Sequence, residues 1–283
     1  MLIAMDVVAP PGAYWPTLKV ALYPRPTDLL SIRDVKGLEP VPANVNSRGY
    51  GMIDGEFYTG THVPKRNIVL TFGLLNTDPT SVNSARDVIY SYFIPKNNNK
   101  TRLRFHFNNR PSVDIEGYIE SVLGDRFSRD PEMQVSIICP KPNFLSTLFT
   151  KLGGVSGNAE IAAPYKGSAA GGFVLEMYTG PNSYYGNVYL QTRPNPGSAY
   201  RTMNFTGLNI PANAKLLVST HQGAKMAEII DGAGKSTNVF KEMDDFIYWI
   251  SLYAAPNLFR VLTPQTGIPR NWYLTYVDQY IGV

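Results

Sequence analysis

The sequence predicts a mainly β protein in two domains. The first carries one α-helix and a long hairpin arm, and the second is a β-sandwich. Three observations lead there. Short β-branched and aromatic runs alternate with turn clusters along all 283 residues, among 24 glycines, 22 prolines and 18 tyrosines. One segment, within residues 77–95, repeats its apolar positions every three to four residues. From about residue 153 onward, charge thins and Gly, Asn, Ser and Tyr take over, which marks a second domain.

In the first domain, residues 1–143, strands are expected at LKVALY (18–23), NIVLTFGLL (67–75), TRLRFHF (101–107), VDIEGYIESV (113–122) and MQVSIICP (133–140). Each combines high β-propensity with turn residues at its borders. Residues 24–66 show weak periodicity and are too long for a featureless loop in a compact domain, so they read as a projecting arm or hairpin. The helix is expected from Pro79, with Asp78 as N-cap and Pro95 as terminator. Val82, Ala85, Val88 or Ile89, and Tyr92 or Phe93 form its buried face. Residues 144–152 read as a linker or short connecting helix. In the second domain, residues 153–283, strands are expected at 171–180, 186–192, 201–208, 214–220, 227–231, 258–263 and 272–280.

Composition narrows the function classes. Apolar residues make up 44% and charged residues 17%, a globular balance. The net charge of +4 is mild and its basic residues are dispersed, which does not suggest a nucleic-acid-binding surface. The single cysteine, Cys139, excludes an internal disulfide and a cysteine-based zinc site, and suggests folding in a reducing compartment. Within VSIICP it is expected to be a buried, inert thiol. The N-terminal residues lack the basic region of a signal peptide, and no apolar run approaches the ~20 residues of a spanning helix.

The motifs that invite catalytic readings each fail on spacing. DGAGKST (231–237) has Ile229 where a phosphate-binding loop needs its first glycine, and reads as a turn. GSAAGG (167–172) misses the dinucleotide spacing and precedes a strand. His62, His106 and His221 lie far apart, and no nucleophile signature accompanies them. NFT (204–206) matches a glycosylation acceptor, but no secretion signal accompanies it.

The sharpest candidate is VDIEGYIESVLGDRF (113–127), where Asp114, Glu116 and Glu120 share one side of an extended strand. Such clusters serve glycosidases and metal sites. However, KTRLRFHF puts Lys100, Arg102, Arg104 and His106 on the matching face of the preceding strand. A hairpin closing near Arg110 would set His106 opposite Asp114, Arg104 opposite Glu116 and Lys100 opposite Glu120. A slip of two residues would keep acids opposite bases. The carboxylates are therefore expected to form a charge ladder, with no catalytic, metal or cofactor site.

The same residues carry a family resemblance. Gly117-Tyr118-Ile119-Glu120, Phe127-Ser128-Arg129-Asp130-Pro131-Glu132 and Ile138-Cys139-Pro140 resemble the strand, turn and strand that close the N-terminal domain of siphophage distal tail (Dit) proteins. SARDVIYSYF followed by RLRFHF matches the family's order, and DLLSIRDVKGLEP resembles its early strand and turn. AKLLVSTHQGAKMAEII, DDFIYWISLYAAPNLFRV and WYLTYVDQYIGV resemble parts of its C-terminal galectin-like sandwich, with Pro256-Asn257 where the family often has Gly-Asn.

The resemblance implies an N-terminal β-sandwich-like ring domain with residues 24–66 as a belt arm, plus a galectin-like β-sandwich. It implies a homo-hexamer at the tip of the virion tail, assembled in the host cytoplasm. The ring would join the tail tube protein to a tail-tip protein, tail-associated lysin or fibre protein, and to receptor-binding proteins. DNA would transit its lumen without a specific nucleic-acid site. No enzyme activity, cofactor or membrane contact is implied.

Three competing readings are a carbohydrate-binding adhesin using Tyr184, Tyr185, Trp249 and Trp272, a tail-associated hydrolase, and a tail tube protein.

Overall fold

A computed structural model of the chain describes residues 1–9, 16–25, 28–49, 51, 54–75, 79–95, 100–124, 130–244, 249–254, 256–264 and 268–283. It divides into two units: Met1–Thr147 with Tyr280–Val283, and Leu148–Gln279.

The first unit is built from β1 (Leu2–Val8), β2 (Leu18–Ala21), β3 (Leu30–Lys36), β4 (Asn44–Gly49), β5 (Glu56–His62), β6 (Arg66–Leu74), α1 (Pro79–Tyr92), β7 (Thr101–Phe107), β8 (Val113–Gly124), β9 (Glu132–Cys139) and the start of β10 (Phe144–Val155). One sheet runs β10-β8-β7-β1-β2 and the other β3-β6-β9-β8. Strand β8 serves both: residues 113–117 pair with β7, and residues 118–124 pair with β9.

Gly117 sits at this handover. A Cβ there would meet Cys139 Sγ and Ile137 Cγ2 at 2.7 Å and the Ile138 carbonyl oxygen at 2.8 Å, so the close approach of β9 requires glycine. Alternate residues of β6, β7, β8 and β9 point into one apolar core, among them Ile68, Phe72, Leu103, Phe105, Val113, Ile115, Val135 and Ile137. The helix buries Ala85, Ile89 and Phe93, spaced four apart on one face, and Phe93 meets Phe72 at 5.6 Å. The expected N-cap Asp78 lies outside the described residues.

Residues 24–66 are not one arm. Strand β3 occupies their first part and pairs with β6 from Leu30–Leu74 to Lys36–Val69, burying Leu30 and Ile32. A break in the pairing between Ile32 and Asp34 interrupts the alternation, which is why the sequence pattern looked weak. The arm is the β4–β5 ribbon, whose strands pair only with each other. Every residue of β4 and all of β5 except Gly60 are exposed.

Two further differences concern the boundaries. Residues 144–152, expected as a linker, form most of β10. Residues Tyr280–Val283, expected in the second domain, belong to the first unit, where the Val283 amide donates to the Leu38 carbonyl at 2.9 Å.

The second unit holds β11 (Ile161–Pro164), β12 (Phe173–Tyr178), β13 (Tyr184–Arg193), β14 (Arg201–Ile210), β15 (Lys215–Ser219), β16 (Met226–Ile230), β17 (Ser236–Asn238), β18 (Pro256–Leu262) and β19 (Asn271–Tyr280). Its sheets run β17-β16-β15-β12-β19-β10 and β11-β18-β13-β14. They enclose one core, in which Phe259 packs edge-on against Phe173 at 5.4 Å and against Trp272 at 5.3 Å. The sandwich expected from sequence is this pair of sheets.

Candidate functional site

The carboxylates Asp114, Glu116 and Glu120 do not converge. Strands β7 and β8 pair with Arg104 opposite Asp114 and Arg102 opposite Glu116, two residues from the expected register. Asn109, with φ of 66°, lies at the centre of the turn, not Arg110. Arg104 grips Asp114 with two hydrogen bonds of 2.8 and 2.9 Å, and Arg102 holds Glu116 at 2.7 and 3.1 Å. The hydrogen bond that Arg104 donates to Asp114 raises the arginine pKa above its ordinary value. Glu120 lies within a pairing break, between Ile119 and Ser121, and accepts from Ser136 Oγ at 2.7 Å.

The ladder extends across four strands. Pairing puts Asp114 (β8), Arg104 (β7), Asp6 (β1) and Lys19 (β2) in one row, alternating in sign. Asp114 and Glu116 are each spent on a neighbouring arginine and Glu120 on Ser136, so these three carboxylates do not make the acid/base pair of a glycosidase.

His106 stands at the end of the ladder. Its Nε2 lies 3.0 Å from Asp6 Oδ2 and its Nδ1 lies 2.8 Å from Ser112 Oγ. The ring bridges the carboxylate and the serine hydroxyl through its two nitrogens. Distant segments thus assemble a Ser-His-Asp chain that sequence spacing did not reveal. Its ring is reversed relative to the hydrolase arrangement, where Nε2 faces the serine. The chain ties the turn after β7 to β1.

Among the described residues, no group of three His, Cys, Asp or Glu side chains is placed to hold a metal. Cys139 is buried, and burial pushes its thiol pKa up to about 12. In DGAGKST, Asp231 Oδ1 accepts from the amides of Ala233 and Lys235, which closes the turn between β16 and β17. Asp130 of the FSRDPE stretch accepts from Arg33 on β3 at 3.0 Å, and the Pro131 carbonyl accepts from Leu74 on β6. Phe127, Ser128 and Arg129 lie outside the described residues. Of the four aromatics considered for sugar binding, Tyr184 and Trp272 are buried, Trp249 packs edge-on against Phe240, and Tyr185 is exposed.

Sequence reading missed a buried arginine in the first unit. Arg66 is 2% exposed and its guanidinium donates to four carbonyls: Gly37, Glu39, Pro142 and Ile281. It stacks on Phe144 at 4.5 Å. Burial lowers its pKa from the ordinary arginine value. One side chain thereby fastens the base of the arm, the turn before β10 and the last residues of the chain.

The arm carries exposed apolar side chains. Val45, Phe57 and Tyr58 are 65%, 56% and 67% exposed. A two-stranded ribbon is marginally stable in water on its own. The β4–β5 ribbon projects apolar and hydrogen-bonding groups that its own unit does not cover, which is the form of an assembly element.

No protein-family profile matches the chain, and neither does a curated protein sequence. Solved structures do. The Dit (gp 19.1) protein of phage SPP1, described as a paradigm of the hub adsorption apparatus in phages that infect Gram-positive hosts, matches at a TM-score of 0.67 and 12% identity, over 99% of each chain. Chains of the phage P2 baseplate in its activated conformation match at lower scores. The form with Ca gives a TM-score of 0.49 at 9% identity over 100% of both chains, and the form with Sr gives 0.45 at 10% over 100% of this chain and 99% of the other. The fold is thus that of the SPP1 protein from end to end.

Proposed function

We propose that this chain is a distal tail protein that forms a homo-hexameric ring at the tip of a phage tail. The observation that carries the reading is the match of both units, in order and over 99% of each chain, to SPP1 Dit. The arm supports it independently, because its uncovered ribbon needs a second surface. In a ring, each arm lies on the neighbouring subunit, and the first unit supplies the ring wall. The second unit, a separate sandwich, offers docking surface to tail-tip, lysin, fibre or receptor-binding proteins. The ring joins these to the tail tube and passes DNA through its lumen.

The role is structural, not enzymatic. In support, the carboxylates of residues 113–120 are paired with bases or with Ser136. The mild charge of +4 suits a conduit, since each phosphate contact would add affinity and slow passage. The protein acts in the virion tail after assembly in the host cytoplasm.

Replacing residues 44–62 with a short Gly-Ser linker tests the arm. The expected result is loss of the ring, seen by light scattering, with circular dichroism and melting temperature nearly unchanged. A ring that survives this deletion would sink the role assigned to the arm.

A further inference from the structure

The four-stranded sheet of the second unit turns one face to the core and the other outward. The outward face carries a cluster of interlocked polar side chains. Across β13 and β18, Tyr189 pairs with Leu262 and Gln191 with Arg260. Gln191 is fixed at both ends: its Oε1 accepts from Arg260 Nε at 2.8 Å, and its Nε2 donates to Thr202 Oγ1 at 3.2 Å. The Arg260 guanidinium lies over the Tyr200 ring, 4.0 Å from its centroid. Arg193 also sits on that ring, at 4.7 Å.

The one carboxylate in the cluster, Glu160, is already engaged. Its Oε2 accepts from Arg193 Nη2 at 2.7 Å, and its Oε1 accepts from the Tyr200 hydroxyl. Two guanidinium groups against one carboxylate leave one positive charge over. No carboxylate oxygen among the described residues lies within 4.0 Å of a nitrogen of Arg260. Its terminal nitrogens therefore form a planar two-pronged donor, held in one orientation by Gln191 and Tyr200. That geometry matches a carboxylate.

Beside this fork lies a cleft of about 420 Å³, lined in part by Ser156, Asn158, Tyr189, Leu262, Thr263 and Ile268. The Tyr189–Leu262 pair on its wall is the next pair along the strands from Gln191–Arg260, about 7 Å away on the same face. The cleft has one aromatic ring, aliphatic walls, and hydroxyl and amide groups. It suits a ring with an apolar face and a hydroxylated edge.

We propose that this strip is a subsite for an acidic saccharide, with a sugar ring against Tyr189 and Leu262 and its carboxylate on Arg260. Charge complementarity calls for the anion, and the concavity next to it favours a sugar over the acidic side chain of a docked protein, which would use the fork alone. The site uses none of the aromatics that the sequence suggested.

The test is titration of the full chain, by calorimetry and amide chemical shifts, with four probes: digalacturonate, its methyl ester, inorganic phosphate and N-acetylglutamate α-amide. Saturable binding of digalacturonate alone is expected, with shifts at Tyr189, Leu262 and Ile268. Arg260→Gln should weaken it at least about tenfold, the effect of losing a charge-assisted contact. Arg260→Lys, which keeps the charge and loses the fork, should weaken it less. Ile268→Ala, an exposed change on the cleft wall, should weaken it with no change in melting temperature. Equal binding of phosphate or of the glutamate derivative would make this a bare anion contact and overturn the proposal. Equal binding of the ester, or no saturable binding, would overturn it as well.

Discussion

Replacing Arg66 with leucine removes the clamp on the first unit and keeps an apolar side chain against Phe144. Four carbonyl oxygens, of Gly37, Glu39, Pro142 and Ile281, lose their donor. A buried acceptor left without a partner costs about 1–3 kcal/mol, so the middle of that range at four sites totals about 8 kcal/mol. Relief from burying the guanidinium offsets part of this, because desolvating a cation costs several kcal/mol in itself. The arginine is retained because its donors reach all the segments at once. Hydrogen exchange read by mass spectrometry measures the result strand by strand. Amides of β9, at the centre of its sheet, should exchange about a thousandfold faster in Arg66→Leu, which corresponds to about 4 kcal/mol. The Val283 amide, bonded to Leu38, should lose protection first. Arg66→Lys should fall between, since one ammonium cannot span all the acceptors. A change of less than tenfold in β9 would refute the claim that Arg66 fastens these segments.

Three further outcomes follow from particular contacts. Gly117→Ala should destabilise the first unit by about 1–3 kcal/mol in urea titration, because the new methyl meets the Ile138 carbonyl and cannot be accommodated by a rotamer change. Cys139 should resist iodoacetamide at pH 8 in the folded chain and react on unfolding, since burial raises its pKa to about 12. Glu160, held by Arg193 and then by the Tyr200 hydroxyl, has a lowered pKa. A depressed carboxylate contributes stability above its unfolded value, here near 4.5, and loses it as pH falls through the folded value. Acid unfolding of the second unit should therefore lose a component below pH 4.5 in Glu160→Gln, measured against the unaltered chain.

Much of this was legible from sequence wherever local pattern decides the outcome. TRLRFHF and VDIEG alternate strictly, so their pairing face and the charge ladder could be read directly. Only the register was off, by two residues, because the turn centres on Asn109 with positive φ. The helix was equally clear from its four-residue spacing. Features that depend on distant segments were not legible. Arg66 looks like a surface residue in its local context, and only the assembled fold supplies its four carbonyls. The return of Tyr280–Val283 to the first unit leaves no local trace either. Residues 144–152 hid a strand because Leu148 and Phe149, adjacent in sequence, are both exposed, which breaks the period of two. The same holds for the proposed subsite: Arg260, Gln191, Tyr200 and Glu160 come from four parts of the second unit and share no motif.

The ring is the central claim, and native mass spectrometry of the purified chain, with negative-stain images of the same sample, tests it most directly. The expected result is a closed particle of six subunits with a central channel wide enough for duplex DNA. A chain that stays monomeric at every concentration, or stacks into open polymers, would contradict it.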